Sequence, residues 1–163
     1  FSLNAQEIEK EPKDYSKYVE TLDSTLETLY SVISGEKGEE RDWELFKYLF
    51  DENARLIPSG KNMDNLTAVR FMTPQEYIDT SGKWLVENGF YEVELHRETD
   101  TFGHIAQVFS TYESYKSKSD SAPFMRGINS IQLLYNGERW IILNIYWMQE
   151  NEQNPIPSEY LPN

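Results

Sequence analysis

The chain has 163 residues, a formal net charge of −13, 39% hydrophobic and 14% aromatic side chains, and no cysteine. This length and composition are typical of one globular domain with a sizeable core. The negative charge argues against nucleic acid and anionic membrane surfaces as partners, because both require clustered Lys and Arg. A chain without cysteine cannot use thiol catalysis, disulfides or cysteine-based zinc sites.

The first 13 residues are predicted to be a leader remnant or a flexible lead-in. Phe1 to Ala5 look like the end of a signal peptide that is cut before Gln6, and an arbitrary chain boundary is the alternative. We therefore expect an exported protein, periplasmic or secreted, and otherwise a cytoplasmic one. No later apolar run is long enough to span a bilayer, so no membrane span is predicted.

Three helices are predicted in the first half of the chain. The first and longest has apolar residues at three- and four-residue steps, which is typical of a helix with one buried face. The third begins at Thr73-Pro74-Gln75-Glu76, where Thr73 and Glu76 can form a capping box and Pro74 suits the first helical position. The predicted helices span residues 14–34, 42–50 and 73–88.

The rest of the chain is predicted to be mostly strand. Asn136-Gly137 separates two β-rich runs, and this dipeptide favours a tight hairpin turn that needs positive φ at both central residues. Residues 151–163 contain three prolines and are predicted to be a tail outside the sheet, because proline lacks the N–H donor. The predicted strands span residues 54–57, 66–72, 90–98, 104–116, 126–135 and 138–149.

A two-residue loop at Asn136-Gly137 would determine the register of this hairpin. Asn129 would lie opposite Asn144, and Tyr146 would follow on the same face, which also carries Trp140. Both faces of the hairpin are mostly apolar, so both are predicted to be covered. We expect the helices to cover one face and a second subunit to cover the other.

Helices followed by a long antiparallel meander predict an α+β fold, with a cone-shaped, curved, mixed or antiparallel sheet wrapped around the N-terminal helices. Four stretches of the second half also match a known family in residue pattern: Phe102–Ala106, Phe109–Ser114, Arg126–Leu133 and Arg139–Trp147. With these stretches, the chain resembles the nuclear transport factor 2-like superfamily, in particular its bacterial ketosteroid-isomerase-like and polyketide-cyclase-like branch.

The resemblance covers about residues 14 to 150 and implies a single domain of that extent. It implies a cone-shaped α+β barrel with a pocket between sheet and helices, and a homodimer formed through the convex face of the sheet. Members of the superfamily range from isomerases, cyclases and dehydratases to binding or scaffolding modules. The resemblance therefore predicts a fold more sharply than an activity.

Five residues are candidate ligand contacts on the inner surface of the cone: Asn129, Asn144, Tyr146, Tyr112 and Trp84. A buried amide has to be hydrogen-bonded, because an unpaired one costs about 2–7 kcal/mol. Asn129 and Asn144 could therefore orient a ligand, or they could bond to each other across the strands. Both interpretations stay open at this point.

Candidate catalytic groups are His104, Tyr112 and Tyr146, in the manner of a scytalone dehydratase, and no carboxylate base is identified. His96 opposite His104 would suggest a metal site, but that register places Glu92 and Glu94 on the inner face. A shift of one residue places apolar side chains there instead, and this alternative is the prediction. Neither a metal nor a cofactor is therefore predicted.

Three functions remain possible from the sequence. The first is a protein that binds a small, mostly apolar molecule. The second is an enzyme of isomerase, cyclase or dehydratase type, and the third is a structural or interaction dimer with a filled cone. A titratable group with a perturbed pKa inside an open cavity would favour the enzyme, whereas a cavity with amides and hydroxyls alone would favour binding.

Overall fold

The computed structural model describes residues 13–162, so the predicted leader remnant lies outside the described residues. Short 3₁₀ turns occupy Ser16–Tyr18 and Ser158–Tyr160, and a π-helical turn, Ile78–Gly82, joins the last two helices. The helices are α1 (Leu22–Ile33), α2 (Trp43–Tyr48), α3 (Pro74–Tyr77) and α4 (Lys83–Asn88). The strands are β1 (Phe50–Lys61), β2 (Thr67–Val69), β3 (Tyr91–Phe102), β4 (Ile105–Tyr115), β5 (Met125–Tyr135) and β6 (Trp140–Gln149).

The six strands form one sheet in the order β2-β1-β6-β5-β4-β3. β1 runs parallel to β6, and the other neighbours are antiparallel. The helices pack against one face of this mixed sheet, which we call the inner face; the opposite face is the outer face. The predicted α+β architecture, a curved mixed sheet around N-terminal helices, is confirmed.

Local capping signals explain where the helices begin. α1 starts after Thr21, whose hydroxyl accepts from the backbone N–H of Ser24 at 3.0 Å, so the helix begins later than its predicted start at residue 14. At α3 the predicted capping box is confirmed. The Thr73 hydroxyl accepts from the Glu76 backbone N–H at 3.1 Å, and the Glu76 carboxylate accepts from the Thr73 backbone N–H at 2.7 Å.

β1 is longer than predicted and includes Pro58, which was expected to lie in a loop. Pro58 has no N–H to donate, but its carbonyl accepts from the backbone N–H of Arg70 at 3.1 Å. Its position beside the parallel neighbour Trp147 is therefore compatible with a strand. The turn after β1 is correspondingly short, and the Asn62 side chain holds it by accepting from the Leu66 backbone N–H at 2.9 Å.

The predicted hairpin exists, but its predicted register is wrong. The loop spans residues 136–139, because the side chain of Asn136 accepts from the backbone N–H of Arg139 at 2.9 Å, and Tyr135 pairs with Trp140. The loop is two residues longer than predicted, and a change of two residues leaves every side chain on its predicted face. A bulge in β6 then adds one more residue, because Ile142 pairs with Leu133 whereas Asn144 pairs with Gln132. Everything beyond the bulge is therefore turned to the opposite face.

A second bulge reverses the prediction for β3. Glu92 pairs with Ser114 and Glu94 with Tyr112, so both carboxylates lie on the inner face, where apolar residues were predicted. The register then slips at Leu95, and His96 pairs with Thr111. The two carboxylates can face the interior because side chains on the neighbouring strands donate hydrogen bonds to them.

The C-terminal tail packs against the outer face of the sheet. Ile156 is buried, and the carbonyl of Tyr160 accepts from the hydroxyl of Thr111 on β4 at 2.6 Å. The rings of Tyr160 and Phe109 lie 5.0 Å apart between centroids. Part of the face on which a second subunit was expected is therefore covered by the chain itself. Within residues 13–162, no helix has the length and apolar character needed to cross a membrane.

Candidate functional site

A cavity of about 220 Å³ lies between the helices and the inner face of the sheet. Its wall is mostly apolar, as expected for a small-molecule site, and a few polar groups converge on it. The aromatic part of the wall comes from Phe46, Tyr77, Trp84, Phe90, Tyr112 and Trp147. The charged and amide groups of the wall are those of Glu92 and Asn129.

Three neighbouring strands place polar groups side by side on the inner face. Glu92 lies on β3, Tyr112 on β4 and Asn129 on β5, and the three strands pair in this order. Gly127, which pairs with Tyr112, makes the arrangement possible. A Cβ atom at this position would lie 2.4 Å from the Met148 backbone carbonyl oxygen and 2.6 Å from the Tyr112 hydroxyl oxygen, so a larger residue would displace both the tyrosine and the neighbouring strand β6.

Glu92 has an unusual environment for a carboxylate. Its Oε1 accepts from Asn129 Nδ2 at 3.2 Å and its Oε2 accepts from the Ser114 hydroxyl at 3.3 Å, but no cation within residues 13–162 forms an ion pair with it. Burial raises the pKa of Glu92 from 4.5 to about 7, although both hydrogen bonds act in the opposite direction. Glu92 therefore exchanges between its neutral and ionised forms near neutral pH.

Asn129 belongs to a hydrogen-bond chain that runs behind the cavity. Its Nδ2 also donates to the Tyr30 hydroxyl at 3.1 Å, and the Tyr30 and Ser110 hydroxyls lie 2.6 Å apart. Ser110 donates its single proton to Glu94 at 2.5 Å, so Tyr30 must donate to Ser110. Glu94 in turn pairs with Arg97 at 2.7 Å. The chain fixes the orientation of the Asn129 amide and therefore the position of Glu92 Oε1.

Tyr77 and Tyr112 line the cavity from a helix and from β4. The Tyr112 side chain is only 1% exposed. Burial, together with the nearby charge of Glu92, raises the pKa of both tyrosines well above its ordinary value. Both therefore keep their protons at neutral pH and can donate a hydrogen bond to a ligand.

Glu92 also borders a second space, a groove of about 470 Å³ between α1 and β3. Exposed residues such as Glu39 and Lys118 line part of this groove, so it is open to solvent. Solvent in this groove can reach the same side chain that lines the inner cavity. The carboxyl group therefore has a route for exchanging its proton with water.

The structure brings three of the predicted ligand contacts to the cavity: Asn129, Tyr112 and Trp84. Their contact with a ligand stays a prediction. Asn144 and Tyr146 lie beyond the bulge of β6 and therefore on the outer face. Asn144 donates to the Gln132 side chain at 2.9 Å, and Tyr146 is 42% exposed. The predicted pairing of Asn129 with Asn144 is wrong, because Asn129 pairs with Trp147.

His104 lies in the turn between β3 and β4, away from the cavity. Its ring stacks on Tyr135 with 5.8 Å between centroids and an angle of 7°. The three predicted catalytic candidates, His104, Tyr112 and Tyr146, are therefore not brought together. Among residues 13–162 no group of three His, Asp or Glu side chains is arranged to hold a metal ion.

Two residues of the site, Glu92 and Tyr77, were missed by the sequence reasoning. Tyr77 follows the capping box of α3 and resembles any other apolar position of an amphipathic helix. A signal for Glu92 was nevertheless present in the sequence. Glu92 and Glu94 lie on one face of β3, and Ser110 and Ser114 lie on the same face of the next strand, where their hydroxyls donate to these carboxylates.

No protein-family model and no curated protein matches this sequence. Solved structures match it in fold. A nuclear transport factor 2-like protein of unknown function from Shewanella baltica is 13% identical, with a TM-score of 0.56, and the match covers 86% of this chain and 100% of that one. A protein from Novosphingobium aromaticivorans, provisionally named as a scytalone dehydratase, is 12% identical with a TM-score of 0.59, covering 81% and 83%.

A third match is the β subunit of a provisionally named aromatic-ring-hydroxylating dioxygenase from the same organism. It is 9% identical, with a TM-score of 0.60, and covers 84% of this chain and 95% of that one. Together the matches show that this chain has the nuclear transport factor 2-like fold, as the resemblance in sequence implied. At such low identities they establish the fold alone.

Proposed function

We propose that this protein is an enzyme that moves a proton on a small, mostly apolar carbonyl compound bound in the cavity, as isomerases and dehydratases do. The observation that carries the proposal is Glu92, a carboxyl group in an apolar cavity with a pKa of about 7. A general acid or base is most effective when its pKa lies near the working pH. Glu92 meets this condition at neutral pH without help from a metal ligand or a histidine.

The other polar groups of the cavity suit the same reaction. Ionised Glu92 takes a proton from the carbon next to the carbonyl, and the electron pair of that C–H bond moves onto the carbonyl oxygen. Tyr77 and Tyr112 donate hydrogen bonds to this oxygen, where the negative charge develops. Glu92 then returns its proton to a second carbon, which gives isomerisation, or to a β-hydroxyl that leaves as water, which gives dehydration. Asn129 positions the carboxylate throughout.

A direct test is the exchange of the methyl protons of acetophenone with deuterium in D₂O, followed by proton NMR. We expect the wild-type protein to accelerate the exchange, and the rate to rise with pH through about 7, because only the ionised form of Glu92 accepts a proton. Glu92→Gln should abolish the acceleration. Tyr112→Phe should slow it by about 10²-fold, as for the loss of one donor to an oxyanion.

Glu40→Gln is the matched control, because Glu40 is an exposed carboxylate on the loop before α2, outside the cavity lining. It should exchange acetophenone at the wild-type rate. The proposal would be abandoned if wild-type and Glu92→Gln proteins gave the same rate while acetophenone was bound.

Binding without catalysis is the second candidate, and the mostly apolar wall of the cavity favours it. In that case Glu92 and the two tyrosines would only orient a ligand. Saturable quenching of tryptophan fluorescence by acetophenone, with no deuterium exchange above the background rate, would decide for this function. The open volume of the cavity supports both candidates over a structural module with a filled cone.

A homodimer through the outer face remains a proposal as well. Support comes from apolar side chains exposed on that face, among them Ile105, which is 55% exposed, and Tyr146. Sedimentation velocity should detect a dimer that Ile105→Glu weakens; a monomer at every concentration would contradict this.

Export likewise remains a proposal, based on Phe1 to Ala5, and sequencing the N-terminus of the protein from its native host tests it. A mature chain beginning at Gln6 is expected.

A further inference from the structure

The size of the cavity limits the ligand. An engineered protein cavity of about 150 Å³ accepts benzene, whereas pockets for drug-sized ligands measure about 300–1,000 Å³. The cavity beside Glu92, at about 220 Å³, falls between these values. It has room for one six-membered ring with a small substituent, and a fused two-ring system exceeds it.

The wall of the cavity cannot easily move outward to admit a larger ligand. Phe46, Leu85 and Leu29 line the cavity and belong to the hydrophobic core, with exposures of 1%, 3% and 4%. The ring of Phe46 also stacks on that of Tyr77 at 5.4 Å between centroids. Enlarging the cavity would therefore require repacking of a dense core, which is unfavourable.

The charge of the cavity limits the ligand further. No Lys or Arg within the described residues lines it, and its single charged side chain is Glu92. A ligand carboxylate or phosphate would lose its hydration without gaining a cation, and it would lie close to a like charge. The net charge of −13 adds a repulsion of the same sign.

From this volume, wall and charge, we infer that the substrate is an uncharged, one-ring carbonyl compound. The carbonyl group rests on the proposed function, whereas the single ring and the absence of negative charge follow from the cavity alone. We therefore expect fused-ring compounds and acids to bind more weakly than neutral one-ring compounds.

Binding to the wild-type protein, measured by tryptophan fluorescence at pH 8, tests both limits with four ketones. Acetophenone and 4-methylacetophenone should bind saturably. The number of rings is tested by comparing 2-acetylnaphthalene with acetophenone, and the charge by comparing 4-acetylbenzoate with its neutral analogue 4-methylacetophenone. We expect 2-acetylnaphthalene and 4-acetylbenzoate each to bind at least about tenfold more weakly than its reference ketone, a difference of about 1.4 kcal/mol. Equal or tighter binding of either one, or no binding of any ketone, would overturn the inference.

Two variants test the reasons for this selectivity. Leu85→Ala removes part of the wall and should admit 2-acetylnaphthalene; Leu26→Ala, a matched change at a fully buried core leucine outside the cavity lining, should not. Glu92→Gln should narrow the difference between 4-acetylbenzoate and 4-methylacetophenone. These readouts measure binding and not proton exchange. The expected ketone selectivity without deuterium exchange would therefore reject the proposed reaction and leave the limits on ligand size and charge standing.

Discussion

Replacing Glu92 by Gln measures how much free energy the burial of its carboxyl group costs the fold. The pKa of Glu92 is about 7 in the folded protein, against 4.5 for the free side chain. At about 1.4 kcal/mol per pH unit this gap corresponds to about 3 kcal/mol, and we expect about 2 kcal/mol because the residue is only half-buried. Glu92→Gln should therefore raise the free energy of unfolding by about 2 kcal/mol at pH 8.

The sign of the pH dependence follows from the raised pKa. Below pH 4.5 Glu92 is neutral in both states, so ionisation costs nothing. Between pH 4.5 and about 7 the unfolded chain ionises more readily than the folded one, and stability is progressively lost. Above about pH 7 the loss is complete. The gain from Glu92→Gln should therefore be below about 1 kcal/mol at pH 5 and reach its full value at pH 8.

Urea unfolding of both proteins at pH 5 and pH 8, followed by circular dichroism, provides the two differences. Glu40→Gln controls for the relief of general repulsion in a chain with a net charge of −13, and its effect should be small at both pH values. Equal destabilisation of the Glu92→Gln protein at pH 5 and pH 8 would contradict the raised pKa of Glu92. Glu92 would then be a structural hydrogen-bond acceptor with an ordinary pKa.

Three further changes test the packing around the site. Arg41 is buried and donates to backbone carbonyls at the end of α1 at 2.9 and 2.8 Å, so Arg41→Met should lower the free energy of unfolding by about 3 kcal/mol in urea titrations. Gly127→Ala should lower the free energy of unfolding by about 2 kcal/mol and perturb the near-ultraviolet circular dichroism of Tyr112. Gly60→Ala is the control, because a Cβ atom there would contact nothing within 4 Å, and it should change neither the stability nor the spectrum. Thr73→Ala removes the cap of α3 and should lower the thermal midpoint by an amount equivalent to about 1 kcal/mol.

The local chemistry of the chain was sufficient to predict its architecture. The capping box at Thr73 is a signal between residues that are close in sequence, so it acts alike in any tertiary setting. Asn136-Gly137 correctly predicted a hairpin, but its loop has four residues and not the two that were predicted. The order of helices and long strands then predicted the α+β class and the curved sheet. The positions of Asn129, Tyr112 and Trp84 at the cavity follow from the same alternation and helix pattern.

The composition of the site was decided by two bulges, which only the folded chain defines. The bulge in β6 turned Asn144 and Tyr146 to the outer face, and the slip at Leu95 placed Glu92 on the inner face, where an apolar residue was predicted. A bulge changes the register by one residue and is stabilised by partners that are distant in sequence. Here the donors to Glu92 lie on β4 and β5, so no stretch of β3 by itself could reveal that its carboxylate faces the cavity.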